Sequence, residues 1–261
     1  MYAVGAVLLL GAVRAADGGE GPRGPARRGR AAVAAGAGVH VLVGLLGGLL
    51  GAQPGFAGSL SGVALAIAVV VVALPARLGV VAAVLAPLAT GLQGASLLAP
   101  ERHVVALDAL DATWWLPLHM TLVLGAVALF LLELSVGAVQ VVVRGRLKRK
   151  QLGALQRMPS LDVLDRLQVR ALVAGVACLG LGLVVGSAGA ATQLEHAGLV
   201  TDPKVAISAG IWLWYVIVLQ ARVRRGWHGW WGVRMSAVGV LALLFSWVAL
   251  EFVAGGFHAY G

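Results

Sequence analysis

Long apolar runs repeat along this chain and constrain its fold more than any other feature. They lie near residues 1–14, 31–51, 57–76, 79–99, 115–140, 171–190, 205–221 and 235–254. Most approach the roughly 20 apolar residues that a helix needs to cross a bilayer core about 30 Å thick. Hydrophobic residues make up 60% of the sequence and charged residues 12%, which leaves too little polar surface to cover a single soluble core. The sequence therefore predicts an all-α, polytopic integral membrane protein with about eight transmembrane helices.

The basic residues fall almost entirely in alternate loops between these runs. Of the 20 Lys and Arg residues, 18 lie in the segments 14–30, 75–78, 144–170 and 222–234. Only Arg102 and Lys204 lie elsewhere. Because cytoplasmic loops of membrane proteins carry an excess of Lys and Arg, we predict that these four segments are cytoplasmic and that both termini are extracytoplasmic. The net charge of +9 then follows from topology, and no nucleic-acid partner is expected.

The chain is predicted to be a single transmembrane domain over residues 1–261, since no soluble domain, repeat or long linker is visible. Duplicated halves, which would favour a transporter, are not visible either. No phosphate loop, Ser/His/Asp set or HExxH motif supports an enzyme. Residues 159–167 combine the N-cap candidate Ser160 with leucines three residues apart, which predicts a short amphipathic helix at the inner interface.

Three histidines are candidates for a functional site. His119 lies in the first turns of the fifth run and His258 follows the last run, so both are predicted at the outer membrane surface. His40 is the tenth residue of the second run, near the bilayer midplane, where ionisable groups are functional candidates by default. Two neutral imidazoles can hold one iron from opposite faces, and this is the chemistry that the two outer histidines allow.

Each of these residues also has a purely structural interpretation. His40 could hydrogen-bond to a neighbouring helix, His119 could belong to an interfacial aromatic belt with Trp115, and His258 could be a solvated tail residue. Glu133, deep in the fifth run, must be protonated, paired, or able to reach the inner surface. A long fifth helix favours the last of these.

Four segments of the chain carry a family resemblance. They are WLPLHMTLVLGAVALFLLEL at 115–134, RMPSLDVLDRLQVRALVAGV at 157–176, DPKVAISAGIWLWY at 202–215 and FHAY at 257–260. They resemble the CcsA-type (ResC-type) cytochrome c assembly family and its HemX-type relatives, which are polytopic membrane proteins that handle haem. The first segment is similar to the family's Trp-Leu-x-x-His helix, and the last to its second outer histidine. The resemblance is strongest over 110–260.

The resemblance implies a haem-binding protein of the bacterial inner (cytoplasmic) membrane. His119 and His258 would be the axial ligands of the haem iron, and His40, similar in position to a membrane histidine of the family, an entry ligand. The implied partners are haem, the lipid bilayer, and a CcsB/ResB-like subunit or another membrane complex. Members that deliver haem have a WGxxWxWD loop, whereas residues 195–201 contain no tryptophan, as in HemX-type relatives. The alternative is therefore a non-catalytic, HemX-type regulator or scaffold of a membrane complex.

Overall fold

The protein is all-helical over the residues that the computed structural model describes, which are 1–17, 23–49, 56–98, 115–151, 158–193, 203–226 and 230–252. These residues form eight α-helices: α1 (Tyr2–Asp17), α2 (Arg23–Leu49), α3 (Phe56–Ala73), α4 (Gly79–Leu98), α5 (Trp115–Lys148), α6 (Leu161–Gln193), α7 (Pro203–Arg225) and α8 (Trp230–Phe252). A single 3-10 turn, Ala76–Leu78, joins α3 to α4. The predicted all-α class is confirmed.

Four helical segments are long and apolar enough to cross a membrane by length and composition. They are Ala76–Leu98, Trp115–Lys148, Leu161–Gly189 and Val205–Arg224. Three shorter apolar helices lie at Tyr2–Val13, Gly58–Ala73 and Trp230–Ser246. The multi-pass membrane class is thus confirmed, while the count of eight spans and the positions of the termini stay predictions.

The helices are arranged as two groups of four. In the first group, α1 and α3 each pack against both α2 and α4. In the second group, α5 and α7 each pack against both α6 and α8. The two groups meet where α3 and α4 contact α5. Each group therefore surrounds its own interior, as in a four-helix bundle.

Aromatic side chains of the second group pack where a neighbouring helix offers a glycine. Phe130 of α5 and Tyr215 of α7 are fully buried and stack, with ring centroids 3.7 Å apart and planes 3° from parallel. A Cβ at Gly175 of α6 would lie 2.6 Å from Phe130, and one at Gly239 of α8 would lie 2.6 Å from Tyr215. Small residues let membrane helices approach closely, and here they admit the rings that connect all four helices.

The helix predicted at 159–167, which leads into the sixth apolar run, is the beginning of α6. The backbone N–H of Val163 donates to Ser160 Oγ at 3.4 Å, which confirms Ser160 as the N-cap. Leu164 is fully buried, and Leu161 and Leu167 pack against the core. The leucine stripe therefore packs on protein, and α6 continues from it into the sixth apolar segment without a break.

Basic residues collect at one end of the second group, which we call the basic end. Here α5 and α7 end while α6 and α8 begin, and the end carries Arg146, Lys148, Arg224 and Arg234. In the first group, the guanidinium of Arg30 in α2 donates to the Leu74 and Pro75 carbonyls at the end of α3. Arg30 and Pro75, which belong to two of the predicted cytoplasmic segments, thus lie at a common end of their group.

Candidate functional site

His119 lies at the opposite end of the second group, where α5 begins. Its Nδ1 donates a hydrogen bond of 2.8 Å to the Gly182 carbonyl oxygen of α6. Because a carbonyl can only accept, this bond places the proton of the neutral imidazole on Nδ1. The lone pair then lies on Nε2, which has no hydrogen-bond partner among the described residues. A histidine that ligates a metal through one ring nitrogen usually donates the N–H of its other ring nitrogen to an acceptor such as a backbone carbonyl.

Glycines of α6 make room for this imidazole. A Cβ at Gly186 would lie 2.5 Å from His119 Nδ1 and 2.7 Å from Cε1, so no larger residue fits without moving the ring. A Cβ at Gly182 would lie 3.0 Å from the Val123 side chain. The spacing of Gly182 and Gly186 is the small-xxx-small pattern of closely packed membrane helices. That spacing is the sequence signal that could have identified both glycines, which our sequence analysis missed.

Trp115 lies one turn before His119 on the same side of α5. Its ring packs against Gly189 of α6, and its indole Nε1 is buried without a hydrogen-bond partner among the described residues. A buried Trp N–H usually has a partner, so this donor is available to an acceptor. Trp115 and His119 therefore present one N–H donor and one imidazole lone pair side by side.

His40 is in a different situation, since both of its ring nitrogens are engaged. Nδ1 lies 3.1 Å from the Tyr2 hydroxyl of α1, and Nε2 lies 2.7 Å from Ser61 Oγ of α3. The Ser61 hydroxyl donates its only proton to Gln93 Oε1 at 3.1 Å. His40 Nε2–H must then donate to Ser61, and Nδ1 must accept from Tyr2. The interpretation of His40 as a residue hydrogen-bonded to neighbouring helices fits this geometry.

Several predicted positions lie outside the described residues. His258, the proposed partner of His119, is one of them, and so is the stretch 195–202 that replaces the tryptophan-rich loop. His103, His196 and His228 lie outside as well. The pairing of His119 with His258 therefore stays a prediction.

Glu133 does not reach the inner surface, so the favoured sequence interpretation is wrong. Its side chain is fully buried, and its Oε1 accepts a hydrogen bond of 2.6 Å from Gln168 Nε2. Arg222 lies 3.6 Å from the same oxygen. The carboxyl group is thus enclosed by α6 and α7, whose polar residues remove the need to extend to water. In the sequence, Arg222 is marked only as one of the basic residues of a predicted cytoplasmic segment, and nothing marks Gln168.

The fold and the site together define a class of protein: a multi-pass, all-helical membrane protein that holds an imidazole lone pair at one end of a helix group. The particular family follows from comparison with known proteins. The chain belongs to the cytochrome c assembly protein family, whose sequence model matches residues 54–258. The matched region includes His119 and His258, whereas His40 precedes it.

Individual relatives match over shorter stretches. The cytochrome c biogenesis protein CcsA of Gloeobacter violaceus is 30% identical over 108 residues, which cover 41% of this chain and 32% of that protein. The CcsA protein of Prochlorococcus marinus is 30% identical over 100 residues, covering 38% of this chain and 32% of the relative. The matched stretch thus spans about a third of those relatives. No solved structure matches this chain.

Proposed function

We propose that this protein binds haem at the end of the second helix group where α5 begins, with His119 Nε2 as one axial ligand and His258 as the other. The observation that supports this most strongly is the bond from His119 Nδ1 to the Gly182 carbonyl, which leaves Nε2 as the coordinating nitrogen. Membership of the cytochrome c assembly family supports the same assignment, since relatives are named for cytochrome c biogenesis. The membrane we propose is the cytoplasmic membrane of a bacterial cell.

The residues around His119 have roles that suit this ligand. Haem, when bound, would supply an iron that His119 and His258 would hold, and it would carry carboxylate groups on its edge. The carbonyl of Gly182 orients the imidazole of His119, and the free indole N–H of Trp115 can donate to a carboxylate oxygen. Gly186 lets the ring lie against α6. A neutral imidazole is required for ligation, so haem loading should fall in acid.

His40 is the proposed entry ligand, and its hydrogen bonds set a condition on that role. Both ring nitrogens are engaged, so one bond, to Tyr2 or to Ser61, must break before His40 can coordinate iron. His119 meets no such requirement within the described residues. We therefore assign stable binding to the end of α5 and only a transient role to His40.

The absorption spectrum of the detergent-purified protein after haem addition tests this proposal. Wild type should give a six-coordinate, low-spin spectrum, which His119→Ala, His258→Ala and the double variant should lose. His40→Ala should also keep the low-spin spectrum, because its role is transient, and Asp162→Asn, which changes an exposed acid on α6, is the control. If wild type binds no haem, or if both single variants keep its spectrum, the assignment is wrong.

A second candidate function is a HemX-type regulator or scaffold that holds no haem and acts on a partner membrane complex, such as one containing a CcsB/ResB-like subunit. The basic end favours it, because Lys148, Arg224 and Arg234 are exposed there together with Trp230 and Trp231. Neutral replacements of Arg144, Arg146, Lys148 and Arg149 should then weaken recovery of that complex. Unchanged recovery together with a low-spin haem spectrum of the wild type would decide for the first function.

A further inference from the structure

A buried polar cluster lies between the four helices of the second group, far from His119. Glu133 is at its centre and is fully buried. It lies 14 residues along α5 from His119, which corresponds to about 21 Å at the helical rise. A carboxyl group at such a depth is costly unless it is neutral or fully paired, and such residues are functional candidates.

Glu133 shares its nearest guanidinium with a second carboxylate. Arg222 of α7 lies 2.9 Å from an oxygen of Asp165 in α6 but 3.6 Å from Glu133 Oε1. The hydroxyl of Tyr215 also belongs to the cluster and donates to the Ser236 carbonyl. Helices α3 and α4 contain no charged residue. The guanidinium of Arg222 is therefore shared by two carboxyl groups, and it contacts Asp165 more closely than Glu133.

The hydrogen bonds show which oxygen of Glu133 can carry a proton. Oε1 accepts from Gln168 Nε2, whereas Oε2 is buried without a partner among the described residues. Ser236 of α8 lies beside Glu133, and its hydroxyl oxygen is likewise buried and unpartnered in the part of the chain that the structure describes. A proton on Oε2 would find an acceptor in Ser236 Oγ and would satisfy both atoms.

A polar route connects Glu133 to water at the basic end. The side chain of Asp165 is 33% exposed and bonds to Arg222 at 2.9 Å. The same guanidinium donates to Gln168 Oε1 at 2.7 Å, and Gln168 Nε2 donates to Glu133. Gly137 leaves the space for that amide, since a Cβ there would lie 2.8 Å from Gln168 Nε2. Polar groups thus extend without interruption from a partly exposed carboxylate to the buried one.

We propose that Glu133 is a proton-binding site of the second helix group, which holds its proton on Oε2 beside Ser236 and exchanges it with water that enters from the basic end. The proton arrives from water and returns to water, and no other bond changes. This site is independent of haem, because none of its residues contacts His119. The interior of the second helix group thus contains a carboxyl group that can bind one proton arriving from the basic end.

Infrared spectroscopy of the purified full-length protein tests the proton directly. Wild type should show the carbonyl-stretch band of a protonated carboxylic acid at neutral pH, and the band should shift in D₂O. Glu133→Gln should lose this band, while Asp162→Asn, which changes an exposed acid on α6, should keep it. A wild type without the band, or a band that persists in Glu133→Gln, would overturn the proposal.

Two further variants keep the test decisive if Glu133→Gln does not fold. Ser236→Ala removes the acceptor and should shift the band, whereas an unshifted band would contradict the Oε2–Ser236 bond. Asp165→Asn should weaken the band, because Arg222 would then keep Glu133 as its carboxylate partner. An undiminished band would contradict the competition of Asp165 and Glu133 for Arg222.

Discussion

The orientation of His119 depends on two glycines that leave space beside the imidazole. A methyl group at position 186 would lie 2.5 Å from Nδ1, which would displace the ring and lengthen its bond to the Gly182 carbonyl. Loss of the hydrogen bond that orients a metal-ligating histidine weakens metal binding by roughly 10–100-fold. We expect Gly186→Ala to reduce haem affinity by about this factor, as measured by spectroscopic titration of the purified protein.

Gly125→Ala is the control for that variant, because it adds the same methyl group to α5 where no atom lies within 4 Å. It should leave haem affinity close to that of wild type. Equal affinities of Gly186→Ala and wild type would show that the position of the His119 ring does not matter for binding.

Sequence alone could identify His119 but not what holds it. The histidine is visible from its place after Trp115 at the start of an apolar run. Its partner Gly182 is 63 residues away and acts through a backbone carbonyl, so no side-chain chemistry marks it. The pairing depends on the register in which α5 and α6 pack, which apolar periodicity does not fix. Ser61 and Tyr2, which determine the tautomer of His40, are likewise brought to it by helix packing that the sequence does not fix.

At the scale of helices, the second group depends on aromatic rings that fit against glycines. A methyl group at Gly175 would lie 2.6 Å from Phe130, whose ring is held by its stack on Tyr215. Overpacking of such a site costs about 1–3 kcal/mol. We expect Gly175→Ala to lower the thermal unfolding midpoint of the detergent-purified protein. Gly210→Ala, with no atom within 4 Å of the added methyl group, should not change it, and equal midpoints for the two variants would refute the packing argument.

Hydropathy located the helices better than it located their ends. The fifth run was predicted over 115–140, whereas α5 continues to Lys148, and the sixth run was predicted to begin at 171, whereas α6 begins at Leu161. The added turns are polar, and they are held by bonds such as that of Arg222 to Asp165, which an apolar window does not detect. The same limitation explains why Glu133 was expected to reach water.

At the scale of the whole molecule, topology is the main prediction from charge. Because 18 of the 20 Lys and Arg residues lie in four alternate segments, the C-terminus should be extracytoplasmic. A reporter enzyme that is active only after export should therefore be active when it is fused after Gly261. A matched fusion after Gln151, in the third basic segment, should be active with a reporter that works only in the cytoplasm. Cytoplasmic activity of the Gly261 fusion would overturn the count of eight spans.

Ligation of haem iron by His119 is the central claim, and chemical rescue tests it most directly. His119→Gly removes the imidazole and leaves a space beside Gly186, so added imidazole can reach the same place. We predict that this variant lacks the low-spin haem spectrum of wild type and that added imidazole restores it. A His119→Gly protein that keeps the low-spin spectrum without imidazole would contradict ligation by His119.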